Sequence, residues 1–366
     1  MKRKKVKVMI ITQSEGGGLR RHLVDLLNHL DKDIFEIYFV YNSRKGDDTF
    51  QNWLKNVCEG INLIDLPNFE RQISLKNDLS IFLELRKLVK DISPDVVHTH
   101  SSKAGVLGRI AAKTLGVKKI FYTPHAYSFL SSEFSIKKRN LYKVIERFLS
   151  RYATTKTFNV SNSEKESAIN AKIDFPEKFE VITNSLPEVE LLEKKVARDK
   201  LKIDQEQVAV VNLARVTYQK NPELFVNIAT EFLSLNTHVH FYWIGAGDFL
   251  NPVPSNVHFL GNINDADLYL KAFDIYLSTS LYEGLSYSLL EAARAHLPIV
   301  ATEVSGNIDM RDIYKKTYYF KVDDEQMAVK LIQNISTNDN SKYNGVLNKN
   351  KDFDKLINTI QGFYLN

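Results

Sequence analysis

Short apolar runs and longer amphipathic stretches take turns along the chain. In the first half "VKVMIIT", "EIYFVYN", "DVVHTH", "KIFYTPH", "TFNVSNS" and "FEVITNS" read as strands. Between them "GLRRHLVDLLNHL", "SIFLELRKLVKDI", "AGVLGRIAAKTLG" and a long segment from Ile136 to Tyr152 read as helices. The second half repeats the scheme without a detectable sequence repeat. "VAVVNLAR", "HVHFYWIGAG", "VHFLGNI", "IYLSTS", "PIVATEV" and "FKV" are extended, while "PELFVNIATEFLSL", "ADLYLKAF", "LSYSLLEAARAH" and "DEQMAVKLIQNI" are helical. Strands alternating with helices of this length imply parallel sheets covered on both faces.

The stretch "TNSLPEVELLEKKVARDKLKI" separates the halves and carries a proline and many charges, so the hinge is placed at Asn184–Pro187. The expected domains are residues 1–185 and 186–345. A last amphipathic helix, about 352–366, follows the polar "STNDNSKYNG" and is expected to return to the first domain.

Composition narrows the class without naming a function. The 366 residues are 44% apolar and 25% charged, as in a soluble globular protein of two domains. No apolar run approaches the roughly 20 residues of a membrane span. "MKRKKVKVMIIT" has the basic-then-apolar order of a signal peptide, but Lys7 interrupts it and no small-residue cleavage site follows, so Val6–Thr12 is read as a buried strand. The lone Cys58 excludes internal disulfides and cysteine metal clusters. A cytoplasmic protein is expected. A net charge of +5, with basic clusters at Lys2–Lys7 and Lys137–Lys156, permits anionic ligands. The basic residues lack interleaved surface aromatics, so no nucleic-acid partner is expected.

In open parallel sheets ligands bind beyond the carboxyl ends of strands. That rule selects Gln13–Gly18, His98–Gly105, Thr123–Phe129, Arg215–Lys220, Gly245–Asp248 and Ser278–Ser286. Gly16, Gly17 and Gly18 precede a helix, where bare backbone N–H groups suit a phosphate or carboxylate; a tight strand–helix turn would need glycine just as well. Arg215 and Lys220 lie five apart after a strand, and two cations there can share a pyrophosphate, though surface loops are often basic. "YEGLSYSLLEAARAHLP" holds Glu283 and Glu291 about a helix start at Leu285 or Ser286. Eight helical residues would span about 12 Å, the reach from a sugar past a diphosphate to a ribose. Spacing alone fits equally well a dipole-complementing acid followed by a solvated one.

The context of these residues carries a family resemblance. "ARVTYQKNPELFVNIA", "FYWIGAGDF", "VHFLGNINDADLYLKAFDIYLSTSLYEGLSYSLLEAARAHLPIVAT" and "VSGN" resemble the nucleotide-sugar domain of the retaining glycosyltransferases of family 4. "EGGGLRRH", "DVVHTHSSKAGVLGRIAA" and "TPHAYSF" resemble their acceptor domain. The most similar subgroup builds bacterial capsular, exopolysaccharide and related surface glycans. The resemblance implies the α/β GT-B architecture: two Rossmann-like domains whose parallel sheets face across a cleft. It implies transfer from a nucleotide-diphosphate sugar, a UDP-sugar foremost, to a lipid-linked or oligosaccharide acceptor, without a cofactor. Arg215 and Lys220 would grip the diphosphate, Glu283 the transferred sugar and Glu291 the ribose. Gly284, Leu285 and Ser286 would offer backbone contacts, Gly17 and Gly18 would lie beside the diphosphate, and His125 would sit near the sugar on the acceptor side. Tyr287 and the pair Ala295–His296 depart from the usual pattern and bear on donor identity.

Other polar clusters admit several readings. His98 and His100 point to one sheet face. They could bind a metal, but no third histidine or carboxylate is evident, and a polar wall of the acceptor side is the simpler expectation. The acid pairs at Asp31 and Asp265 do not follow strands, so no metal is expected. Arg139, Lys143, Arg147 and Arg151 recur every four residues, with Leu141, Ile145, Phe148 and Tyr152 as the apolar stripe of the same helix and Glu146 as the local relief of charge. These cations make a solvated face or a contact with an anionic membrane, the latter on the inner face of the cell membrane. Two rival functions remain in view: a nucleotide-sugar epimerase of similar shape, and a non-catalytic transferase-like binding subunit.

Overall fold

The computed structural model describes residues 4–13, 16–46, 48–57, 60–70, 72–235, 238–337 and 353–366. Cys58, Ser14, Glu15, the beginning of the Lys2–Lys7 cluster and "STNDNSKYNG" from Asn338 onward lie outside them. The chain divides into two compact units at Asn184/Ser185, and the C-terminal segment belongs to the first.

The first unit runs β1 (Val6–Ile11), α1 (Gly17–His29), β2 (Phe35–Tyr41), α2 (Asp48–Asn56), β3 (Ile61–Asp65), α3 (Leu75–Ile92), β4 (Val96–His100), α4 (Ser102–Thr114), β5 (Lys119–Thr123), α5 (Ile136–Ala153), β6 (Lys156–Asn159), α6 (Asn162–Asn170) and β7 (Phe179–Val181). Its seven strands are all parallel, in the order β3-β2-β1-β4-β5-β6-β7. Strand β1 shows why its sequence is apolar at consecutive positions. Val8 and Ile10 enter a core with Leu23, Leu26 and Leu27 of α1, whereas Met9 and Ile11 enter another with Ile81, Leu85 and Val89 of α3. Both faces are covered, so neither alternate position can be polar.

The second unit runs α7 (Lys194–Leu201), β8 (Val208–Leu213), α8 (Pro222–Leu235), β9 (Val239–Ile244), β10 (Val257–Gly261), β11 (Ile275–Ser278), α9 (Tyr287–Arg294), β12 (Ile299–Thr302), α10 (Met310–Ile313), β13 (Thr317–Phe320) and α11 (Glu325–Thr337). Its six strands are parallel in the order β10-β9-β8-β11-β12-β13. Helix α12 (Phe353–Leu365) packs Phe353, Leu356, Ile357, Ile360 and Tyr364 into the first unit's β1–α1 core. Both units are thus Rossmann-like, each with a point where strand order reverses: between β1 and β4, and between β8 and β11.

Several elements differ from the sequence reading. Helices α2 and α6 and the half-buried strand β3 were not expected, and the charged separator contains α7. "ADLYLKAF" is 3-10 rather than α-helical, and Asp265 before it has a left-handed backbone and makes no side-chain cap. The last strand in chain order is Thr317–Phe320, which shares only Phe320 with the expected "FKV".

The largest correction concerns α5. Its expected apolar stripe faces outward: Leu141, Phe148 and Tyr152 are 55%, 59% and 62% exposed, as is Val144, with Ile145 half-buried. The face packed inward carries Glu146, Leu149, Ser150 and Ala153. Glu146 does not relieve its helix's own cations, because it pairs with Arg109 of α4 at 2.8 Å. Arg109 in turn stacks 3.8 Å over the Tyr122 ring, where Gly105 leaves room. Arg139 and Arg147 donate to the backbone carbonyls of Phe129, Lys172 and Ala171. Two of the four periodic cations therefore pin neighbouring loops.

Candidate active site

The reversal between β8 and β11 brings the loops after these strands together. The carbonyl of Gln219 accepts from Leu281 N at 2.8 Å, and the Thr279 hydroxyl donates to Lys220 O at 2.8 Å. The loop after β12 joins them. Thr302 Oγ1 donates to Ser280 O at 2.6 Å, and Glu283 N donates to Ser305 O at 3.1 Å. Three strand-end loops thereby hold one small region.

Within it Lys220 Nζ lies 2.5 Å from Glu283 Oε1. The two residues are 63 apart in sequence, and Glu283 is only 6% exposed. Gln219 Nε2 donates to Tyr282 O at 2.9 Å and lies 3.5 Å from the other oxygen of Glu283. A buried carboxylate is thus met by a short ion pair. Arg215 lies exposed in the same loop as Lys220. This loop approaches the one after β9 closely: a Cβ on Gly245 would fall 2.0 Å from Ala214 O.

Gly284, Leu285, Ser286 and Tyr287 are all buried behind Glu283. Helix α9 starts at Tyr287 with Ser286 as its N-cap, later than expected. Only the part from Tyr287 to Glu291 is helical, so the 12 Å span of a continuous helix does not apply. Glu291 is 8% exposed, which excludes a solvated mid-helix acid. Tyr276, buried on β11, lies within the field of both acids. Burial pushes its phenol pKa well up, hydrogen bonds from Ser288 and Leu213 oppose this, and the charges of Glu291 and Glu283 add to the rise. Gly306 closes the region from β12. Its φ is +83°, and a Cβ there would meet Gly284 O at 2.5 Å and the Glu283 Cβ at 2.8 Å. Gly306 is the glycine of "VSGN", and its role in shaping the Glu283 loop follows from its positive φ, which the sequence alone does not display.

The first unit holds a buried histidine cluster. His98 and His100 share a face of β4, with ring centroids 4.1 Å apart. His22 of α1 and His125 of the loop after β5 join them. The His22 ring lies 4.7 Å from that of His125 and 5.4 Å from that of His100. A third and a fourth histidine are therefore present, against expectation. His22 ends "EGGGLRRH" in the second turn of α1, where the sequence does not show which way its ring points.

The ring nitrogens of His98 lie 2.6 Å from the Tyr364 hydroxyl and 2.8 Å from the Thr123 hydroxyl. His100 Nδ1 lies 3.1 Å from His125 Nε2. Burial lowers the His22 pKa to about 4, partly opposed by a hydrogen bond with Asn184. Burial first, and the neighbouring imidazoles second, hold His98, His100 and His125 well below the ordinary range. All four rings are neutral at pH 7. His125 and Ala126 have φ of +52° and +78°. This strained turn is held by buried Glu164, which accepts from Ala126 N at 2.6 Å and Val160 N at 2.8 Å. Gly17, at φ +62°, opens α1 on Gly16 as N-cap, with exposed Gly18 next.

The structure thus gathers Arg215, Lys220, Glu283 to Ser286 and Glu291 on the second unit, and His98, His100 and His125 on the first. Comparison with known proteins follows the same division. A model of "Glycosyltransferase Family 4" matches residues 16–187, and one of "Glycosyl transferases group 1" matches residues 207–338. An Escherichia coli UDP-Gal:alpha-D-GlcNAc-diphosphoundecaprenol alpha-1,3-galactosyltransferase is 31% identical over 262 residues, 66% of each chain. The Escherichia coli O-antigen biosynthesis glycosyltransferase WbnH is 28% identical over 310 residues, 82% of each. Among solved structures, Anabaena HepE in complex with UDP and glucose superposes with a TM-score of 0.77 at 17% identity, covering 98% of both chains. A putative UDP-N-acetylglucosamine 2-epimerase from Listeria monocytogenes shares the fold at a TM-score of 0.63 and 12% identity.

Proposed function

The chain belongs to the family 4 glycosyltransferases of GT-B fold, and on that footing we propose that it moves a sugar from a UDP-sugar to a lipid-linked glycan acceptor in surface polysaccharide synthesis. The naming of a galactosyltransferase and an O-antigen transferase among its relatives supports this setting. The observation that carries the donor assignment is the Lys220–Glu283 pair at the β8/β11 reversal, with the start of α9 beside it.

In this reading Lys220 and Arg215 hold the diphosphate, Glu283 accepts hydrogen bonds from hydroxyls of the transferred sugar, and Glu291 accepts from the ribose. The partial positive charge at the start of α9 favours phosphate. The bond from the anomeric carbon to the diphosphate oxygen breaks, and its electron pair leaves with UDP. The acceptor hydroxyl oxygen bonds to the anomeric carbon from the same face, so configuration is retained. Its proton passes to the departing phosphate oxygen. Two side-chain cations offset the growing charge, so no metal is required at the diphosphate. His125 serves the acceptor side from its strained turn.

A lipid-linked acceptor calls for a membrane contact, and we assign it to α5. No described helix is long and apolar enough to cross a membrane. The exposed Leu141, Val144, Phe148 and Tyr152 instead form an apolar face, with exposed Lys137 and Arg151 beside it. Such a face suits the surface of an anionic bilayer.

The test is a thermal-shift screen of nucleotide-diphosphate sugars in EDTA. A matching donor at 100 times its Kd stabilises by about 2.7 kcal/mol. The stabilisation survives EDTA and is lost in Arg215→Ala. Indifference of the folded protein to every such donor would refute the reading.

A further inference from the structure

The histidine cluster also contains a set of possible metal-ligand donors. His98 is committed, with one hydroxyl at each ring nitrogen. The other three histidines each offer one ring nitrogen, and these lie within 4.8 Å of one another. His100 Nδ1 and His125 Nε2 are already 3.1 Å apart. Ligand nitrogens around a tetrahedral ion with bonds of about 2.05 Å stand roughly 3.3 Å apart.

The three ligands come from separate, fixed places: α1, the end of β4 and the turn after β5. Glu164 holds the third of these through Ala126 N. Three imidazoles select a borderline ion over Mg2+ or Ca2+, which prefer oxygen. Three imidazoles leave the fourth tetrahedral position for water or a hydroxyl.

We propose that His22, His100 and His125 form a binding site for one divalent transition-metal ion of the Zn2+ and Co2+ class. An ion there occupies His125 and competes with acceptor binding, so zinc inhibits transfer. That consequence rests on the function proposed above; the metal site does not.

The test is equilibrium titration of the tag-free, full-length protein, stripped with EDTA, with Co2+ and with Zn2+ against a chromophoric chelator. One equivalent binds, and Co2+ gives the visible bands of a tetrahedral centre. His22→Ala, His100→Ala and His125→Asn each weaken binding at least about tenfold. Asparagine suits the left-handed backbone at position 125, so this variant keeps its fold if the alanine variants do not. His240 and His258 are the control. Their rings stack with Nδ1 and Nε2 3.0 Å apart on the second unit, and His240→Ala leaves the titration unchanged. The proposal is overturned if no stoichiometric binding occurs, if His125→Asn binds as the wild type does, or if His240→Ala abolishes binding. No sugar enters the titration, so its failure leaves the transferase reading standing, and a failed donor screen leaves the metal site standing.

Discussion

Replacing Lys220 by alanine separates what the Lys220–Glu283 pair does for the fold from what it does for the reaction. The change leaves the carboxylate of Glu283, only 6% exposed, without its ion partner at 2.5 Å. Stranding a buried charge costs about 3–5 kcal/mol. Lys220 is itself 19% exposed, and Gln219 stays near the other oxygen, so a loss of about 1–3 kcal/mol is expected here. For the reaction, loss of one donor that stabilises leaving-group charge costs about 100–1000-fold in kcat. The double variant Lys220→Ala/Glu283→Gln removes the stranded charge and recovers the melting temperature, but not turnover. UDP release and thermal unfolding are measured side by side on wild type, single and double variants. A folded Lys220→Ala protein with kcat within tenfold of wild type would refute the diphosphate role. A melting temperature that stays low in the double variant would refute the buried-charge argument.

Three further outcomes follow from other parts of the molecule. Gly306→Ala forces a Cβ to within 2.5 Å of Gly284 O at a φ of +83°; donor-induced stabilisation falls at least about tenfold in apparent affinity while the fold survives, and an unchanged affinity contradicts the role of this glycine. Burial lowers the His22 pKa from 6.5 to about 4, so between these values the unfolded chain binds more protons than the folded one. Stability is full above pH 6.5 and falls as pH drops toward 4, by about 3 kcal/mol from this residue alone; urea midpoints equal at pH 7 and pH 4.5 would contradict this. Leu141→Glu/Phe148→Glu, on the exposed face of α5, reduces sedimentation with anionic vesicles at least about tenfold and leaves the melting temperature within about 2 °C; unchanged vesicle binding refutes the contact.

Much of this molecule was legible because parallel α/β folds write their rule into every strand. Continuous apolar runs mark strands covered on both sides, and strand-end loops then isolate the residues free for chemistry. Lys220 and Glu283 were found in that way, 63 positions apart. The short distance between them was not legible, since it depends on strand order rather than on sequence distance. The outward stripe of α5 was hidden for a related reason. Periodicity gives the angular position of Leu141 and Phe148 but not what lies opposite, and the inward side is filled by Glu146, paired with Arg109 of α4. His22 and Tyr364 escaped because their partners come from β4, across 266 positions in the case of Tyr364. Strand β3 was missed because, half-buried at the sheet edge, it lacks the continuous apolar run of the central strands.

The central claim is transfer of a sugar to an acceptor, and product analysis tests it most directly. The protein is incubated with the stabilising UDP-sugar and a lipid-diphosphate-linked sugar, and the products are separated and their linkage determined by NMR. The account predicts UDP release that depends on the acceptor, and a new glycosidic bond with the donor's anomeric configuration. Release of UDP with free or epimerised sugar in the absence of acceptor, and no glycoside in its presence, would contradict it.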